Sequence, residues 1–187
     1  MKFSIFQKPL NMWQGNSLII GIFEEDIFRQ LEKNDLRIET KLLSTKLLEK
    51  DFKGKKGQFL SLEFLDSHIN SLFIIGLGKR NKVDYDYLSN SIADCARRIC
   101  DKEEKSCIFL PWEELENFSP YSVAEIVRLS IFRDNRFNHK KDERVALKEI
   151  EFLGINNSND ISFKEIEDIC AGVEFARELV AAPPNIL

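Results

Sequence analysis

Residues 71–78 read SLFIIGLG, eight positions without a charge. A second run of the same kind, SLIIGIF, occupies residues 17–23. Both have the length of strands, and their almost unbroken apolar character is that of strands covered on both faces. Strands of that sort need a layer of structure on either side, so the sequence around them should hold helices.

It does. KFSIF at residues 2–6 reads as a short strand, and FLSLEF at 59–64 alternates, with Leu60, Leu62 and Phe64 on one face and Ser61 and Glu63 on the other. That alternation marks a half-buried strand. SCIFLPW at 106–112 is a strand closed by Pro111, and EIEFLGI at 149–155 is the last. Between them the period changes. Helices are predicted over 26–34 and 38–52, the second carrying Leu42, Leu43, Leu47 and Leu48 in recurring pairs. FKGKKGQ at 52–58 is a turn marked by Gly54 and Gly57.

Asp84 can cap a helix whose Leu88, Ile92, Cys95 and Ile99 step by four, three and four. Its Arg97, Arg98 and Lys102 complement the negative end of the helix dipole. Ser119-Pro120 opens another helix, with proline where its missing N–H costs nothing, and Val123, Ile126, Val127 and Ile131 form its inward stripe. For the last helix, Ser162 and Glu165 have capping-box spacing, with Ile161 and Ile166 as the hydrophobic staple. Phe163, Ile166, Cys170 and Val173 continue an inward stripe toward Val180, and Pro183-Pro184 end it. The alternation of strands and helices specifies an α/β fold: a three-layer sandwich with a largely parallel sheet flanked by helices.

Composition agrees with one such domain. The chain has 187 residues and a net charge of −4, which argues against a dedicated nucleic-acid binder. No apolar run reaches the roughly 18–20 residues of a membrane span. MKFSIFQKPL lacks the continuous apolar region of a signal peptide, so a cytoplasmic protein is expected. Cys95, Cys100, Cys107 and Cys170 have no metal-ligand spacing and are expected as buried free thiols. The only histidines, His68 and His139, lie in polar sequence and offer no His-based metal site.

Three stretches could carry chemistry. IIGLGKR at 74–80 places Gly76, Gly78, Lys79 and Arg80 after a buried strand, where backbone N–H groups can cradle a phosphate. Yet Asn81 stands where a dinucleotide fingerprint needs its third glycine, and Arg80 where a P-loop needs Ser or Thr. FRDNRFNHKKDER at 132–144 mixes Arg133, Arg136, Lys140, Lys141 and Arg144 with Phe132 and Phe137, but Asp134, Asp142 and Glu143 cancel much of the charge. FEED at 23–26 and WEELEN at 112–117 are carboxylate clusters of the kind that cap helices and face water. No Ser/His/Asp, Cys/His or HExxH arrangement is present. The residues alone assign no catalytic, cofactor-binding or metal position.

GVEFARELVAAPPNIL at 172–187 resembles the junction between the two domains of the leucyl aminopeptidases, the cytosol aminopeptidase family. LIIGIFEED, FKGKKGQ, FIIGLGK and YSVAEIVRLSIFRDNRF fall in the order expected of that family's N-terminal domain. The resemblance implies a macro-domain-like fold over residues 1–160, with 161–187 forming a connecting helix and the start of a junction to a C-terminal catalytic domain. It implies a parent exopeptidase that releases N-terminal amino acids, preferably leucine, from peptides. Two divalent ions, Mn or Zn, would be held in the catalytic domain by Lys, Asp and Glu ligands, with an Arg assisting. None of those motifs occurs in these residues, so none is carried over, and the segment alone is expected to be inactive. The implied partners are the catalytic domain and the other subunits of a homohexamer, and the implied role is assembly with control of access to the active sites. The alternative is a free-standing macro-like module that binds a nucleotide or an ADP-ribose-like ligand through the Gly76–Arg80 loop.

Overall fold

A computed structural model describes residues 1–25, 45, 47–64, 69–100, 105–116, 118–134, 136, 147–155 and 162–183. The strands are β1 (Lys2–Phe6), β2 (Ser17–Phe23), β3 (Phe59–Glu63), β4 (Ser71–Gly78), β5 (Lys105–Phe109) and β6 (Glu149–Leu153). The helices are α1 (Tyr85–Ile99), α2 (Pro120–Ser130) and α3 (Lys164–Ala181). Short 3-10 turns cover Leu10–Met12, Arg80–Lys82 and Trp112–Glu114.

The strands form one sheet in the order β1-β6-β5-β2-β4-β3. Every neighbouring pair is parallel except β3 with β4, which run antiparallel at one edge. β2 and β4 pair with each other in the interior, and every residue of both is buried. The chain leaves β4 through α1 and returns as β5 on the far side of β2, then passes through α2 to β6.

Alternation assigns the side chains to two cores. On one face Ile19, Phe23, Ile75 and Leu77 meet Leu88, Ile92, Cys95 and Ile99 of α1 and Val123 and Val127 of α2. On the other, Leu18, Ile20, Ile22, Leu72 and Ile74 are covered by Leu10, Trp13, Leu47 and Phe52. Trp13 is buried, and its indole N–H donates to Glu151 Oε2 at 2.7 Å, which satisfies the one polar atom that the ring carries inward.

Two helix starts are as the sequence specifies. The Tyr87 N–H donates to Asp84 Oδ1 at 2.9 Å, and the Ser122 N–H to Ser119 Oγ at 3.3 Å with Pro120 in the first turn. β3 also keeps its expected faces, with Leu60, Leu62 and Phe64 on the core side. The helix predicted over 26–34 lies outside the described residues. Of that over 38–52, Thr45 and Leu47–Glu49 are described and helical; Leu47 is buried and Leu48 exposed.

The start of α3 differs from expectation. Phe163, not Ser162, stands at its N-cap, and no side chain caps it. The Ser162 N–H donates instead to the Tyr121 hydroxyl at 3.1 Å. Phe163 is buried, stacked on Phe152 at 5.2 Å between centroids and tilted against Phe3 at 5.8 Å. Aromatic packing therefore sets where the helix begins, and the capping box does not form. Ile161, the expected staple residue, lies outside the described residues. No described helix is long and apolar enough to cross a membrane.

All four cysteines are free and buried. Loss of solvent pushes the Cys95 thiol up to about 12 and Cys107 well above its ordinary value, so thiolate is scarce at neutral pH. A disulfide-exchange reagent should titrate essentially no thiol in the native chain and all four after unfolding in guanidinium. Rapid native reaction of Cys95 or Cys107 would contradict this packing.

Candidate functional site

In open α/β sheets, ligands bind beyond the carboxyl ends of the strands. That rim carries Phe23–Glu24 after β2, Gly78–Arg80 after β4 and Leu110–Glu114 after β5. It also carries the Gly76–Arg80 loop singled out in the sequence. The loop is filled by the turn at 51–58. The Gly76 N–H donates to Gln58 O at 2.9 Å and the Gly78 N–H to Gly54 O at 2.8 Å, while Gly78 O accepts from the Glu24 N–H at 3.0 Å. Both glycine donors that a phosphate would need are therefore committed.

Gln58 holds the turn in that position. Its Oε1 accepts from the N–H groups of Lys53 and Lys55, at 2.7 and 3.0 Å, and its Nε2 donates to Asp51 O at 2.8 Å. The two backbones lie so close that a Cβ on Gly76 would sit 2.2 Å from Lys55 O. Gly54, at φ +69°, is in the left-handed region, and a Cβ there would sit 2.8 Å from Phe23 O. These glycines serve close approach of chain to chain.

Two cations of the rim, Arg80 and Lys56, are engaged within the domain, while Lys79 is exposed to solvent. Arg80 Nε lies 3.0 Å from Glu114 Oε2, and its guanidinium stacks 5.3 Å from the centre of the Phe23 ring. Lys56 pairs with Asp84, and this hydrogen bond holds the Asp84 carboxyl below the usual range. Trp112 anchors the WEELEN stretch by donating its indole N–H to Leu153 O at 2.7 Å, leaving Glu113 and Glu114 exposed. Glu24 is half-buried and Glu25 exposed; Asp26 lies outside the described residues.

The basic stretch at 132–144 is described at residues 132–134 and 136. Arg133 Nη2 donates to Cys100 Sγ at 3.1 Å. Arg136 forks onto Asp134 at 2.9 and 2.7 Å, which holds that carboxyl at about 2, and approaches Glu178 Oε2 at 3.6 Å. These cations serve internal contacts. Lys140, Lys141, Arg144 and both histidines lie outside the described residues. Among the described residues, no three His, Cys, Asp or Glu side chains are placed to share a metal ion. The described residues therefore offer no ligand set for a two-metal centre.

The unusual surface is on α3. In its first half Lys164, Glu165 and Asp168 are exposed. In its second half the charged residues turn toward α2 and the segment after it: Glu174 takes a bidentate pair from Arg128 at 2.8 Å, and Arg177 Nη1 donates to Leu129 O at 2.7 Å. Arg177 also stacks over Phe132, at 5.7 Å from the ring centre. Glu178 faces Arg136. Ile169, Phe175, Leu179 and Val180 point the other way, with Phe175 60% and Val180 89% exposed. The expected inward stripe therefore holds through Phe163, Ile166 and Cys170 but not to Val180. The packed side continues through Glu174 and Arg177 because ion pairs, not apolar contacts, fix the second half of α3 on α2. Fully burying each exposed side chain is worth about 1.5–3 kcal/mol, so this face is costly to leave wet. Sequence reading missed it; the signal was the run of Ile169, Gly172, Phe175, Ala176, Leu179 and Val180, an apolar arc that begins beyond the exposed Glu165 and Asp168 on the same helical face.

Comparison with known proteins places the chain. Residues 19–141 match the family model described as cytosol aminopeptidase family, N-terminal domain. A probable cytosol aminopeptidase of Prochlorococcus marinus strain MIT 9215 is 52% identical over 188 residues, which cover 100% of this chain and 38% of that protein. A solved tomato leucine aminopeptidase mutant matches with a TM-score of 0.77 at 27% identity, over 100% of this chain and 39% of its own. The bottromycin maturation enzyme BotP in complex with Mn, at 14% identity, a TM-score of 0.58 and coverage of 90% of this chain and 32% of its own, shares the fold alone. The chain belongs to the cytosol aminopeptidase family. It spans 38% of the length of its curated Prochlorococcus relative.

Substitution at the rim separates close approach from mere turn geometry. Gly76→Ala forces a Cβ onto Lys55 O and should cost about 3 kcal/mol in urea unfolding. Gly57→Ala has nothing within 4 Å and bears only the strain of φ +91°, about 1–2 kcal/mol. Equal costs would show that the two backbones are not in contact at Gly76.

Proposed function

We propose that this member of the cytosol aminopeptidase family is the non-catalytic N-terminal domain of a leucyl aminopeptidase, a metal-dependent exopeptidase that takes N-terminal residues, preferably leucine, from peptides. Residues 1–160 form the domain, and 161–187 connect it to a C-terminal catalytic domain holding two divalent ions, Mn or Zn. Those ions would activate water and polarise the scissile carbonyl. The domain contributes to a homohexamer and to controlling access to its active sites, in the cytoplasm.

One observation carries the reading: the match over residues 19–141 is to an N-terminal-domain model, within relatives named as aminopeptidases that are far longer than this chain. The strand-end rim is consistent with it. The glycine N–H groups of its Gly76–Arg80 loop, Arg80 and Lys56 are engaged within the domain.

The purified 187-residue chain should hydrolyse no leucyl amide and retain no stoichiometric Zn²⁺ or Mn²⁺ after dialysis. Turnover by the chain alone, with metal bound one-to-one or tighter, would overturn the division of labour.

A further inference from the structure

Beyond Asp168, the outward face of α3 is inverted relative to an ordinary surface helix, which turns its charges to water and its apolar stripe to the core. From Ile169 to Val180 its charged residues are Glu174, Arg177 and Glu178, and each is engaged with the segment between Arg128 and Arg136. The opposite side carries Ile169, Phe175, Leu179 and Val180, all exposed. Gly172 lies on the same side. A helix-interior glycine costs about 0.5–1 kcal/mol relative to alanine, and nothing in this chain lies within 4 Å of the Cβ it lacks. Glycine at such a place fits the close approach of another backbone.

We propose that this face is the docking surface for the catalytic part of a family protein, with Phe175, Leu179 and Val180 seated on an apolar patch of that part and Gly172 letting its backbone come close. The assignment rests on the proposed function and names the surface through which the two parts meet. Three occupants compete. A membrane surface is disfavoured by charge: a helix lying on lipid is rich in Lys and Arg on its polar face, whereas the first turn of α3 holds Glu165 and Glu167 and its last turn no basic residue. A second copy of this chain would have to meet it at the concentration of free protein. In the relatives, by contrast, the matched span makes up 38% of the chain, so the remaining part is covalently joined and always near. Tethering of this kind raises effective concentration to about the millimolar range without any further contact.

The test uses Ala176→Cys, an exposed position within the apolar arc, in a chain whose four native cysteines are buried. The variant is made in this chain alone and in this chain fused to the remainder of the Prochlorococcus marinus MIT 9215 protein. A thiol-reactive probe should modify it fast in the chain alone and slower by about tenfold or more in the fusion, as burial requires. Lys53→Cys, on an exposed turn, should react fast in both. Equal rates at residue 176 in a fusion that hydrolyses leucyl amides would overturn the docking surface and leave the proposed function standing. Slow reaction in the chain alone, relieved by dilution, would give the face to a second copy and overturn the assignment. A fusion that neither assembles nor hydrolyses would count against the proposed function itself, and the docking surface would fall with it. Phe175→Glu supplies an independent measure. It should leave the melting of the chain alone unchanged and reduce the activity of the fusion at least several-fold; an unchanged fusion contradicts the proposal.

Discussion

Everything in this structure depends on two neighbouring parallel strands that have no wet side. Leu18, Ile19, Ile20, Ile22, Leu72, Ile74 and Ile75 show essentially no exposure, and each buried side chain contributes about 1.5–3 kcal/mol relative to leaving it in water. The requirement propagates outward. α1 and α2 must cover one face, while Leu10, Trp13, Leu47 and Phe52 cover the other. At Gly21 even one added methyl would meet Leu110 Cδ2 at 2.7 Å. Packing of that density reaches the ends of the strands, where the 51–58 turn lies against Gly76. At the carboxyl end of β4, the backbone around Gly76 and Gly78 is given to chain packing.

The parts legible in the sequence were those with local causes. Strand identity followed from apolar runs, the faces of β3 from alternation, and the starts of α1 and α2 from Asp84 and Ser119, whose caps are one helical turn long. What escaped reading has causes distant in the chain. The start of α3 is set by Phe163 meeting Phe3 and Phe152 across the fold, which outweighs a capping box four residues wide. The Gly76–Arg80 loop had the composition of a phosphate site, and only the register of the 51–58 turn against it shows its donors committed. On α3, an amphipathic pattern identifies a helix but not which side meets a neighbour. The partners of Glu174 and Arg177 lie more than forty residues earlier in the chain.

The family resemblance was legible for a different reason: the junction stretch at 172–187 keeps its residue types in order, whereas the rest of the motifs are individually common. The same stretch contains most of the exposed apolar arc. Sequence signature and surface chemistry thus coincide on one helix, which packs inward through ion pairs and presents Phe175, Leu179 and Val180 outward.

Hydrogen exchange followed peptide by peptide tests this account most directly, comparing the 187-residue chain with the same chain fused to the remainder of its Prochlorococcus marinus relative. Amides of β2 and β4 should exchange slowly in both, because the sheet needs nothing beyond these residues to bury its strands. Amides in the second half of α3 should exchange fast in the chain alone and become strongly protected in the fusion. Identical exchange of α3 in the two proteins would contradict the claim that this domain meets its catalytic partner through that helix.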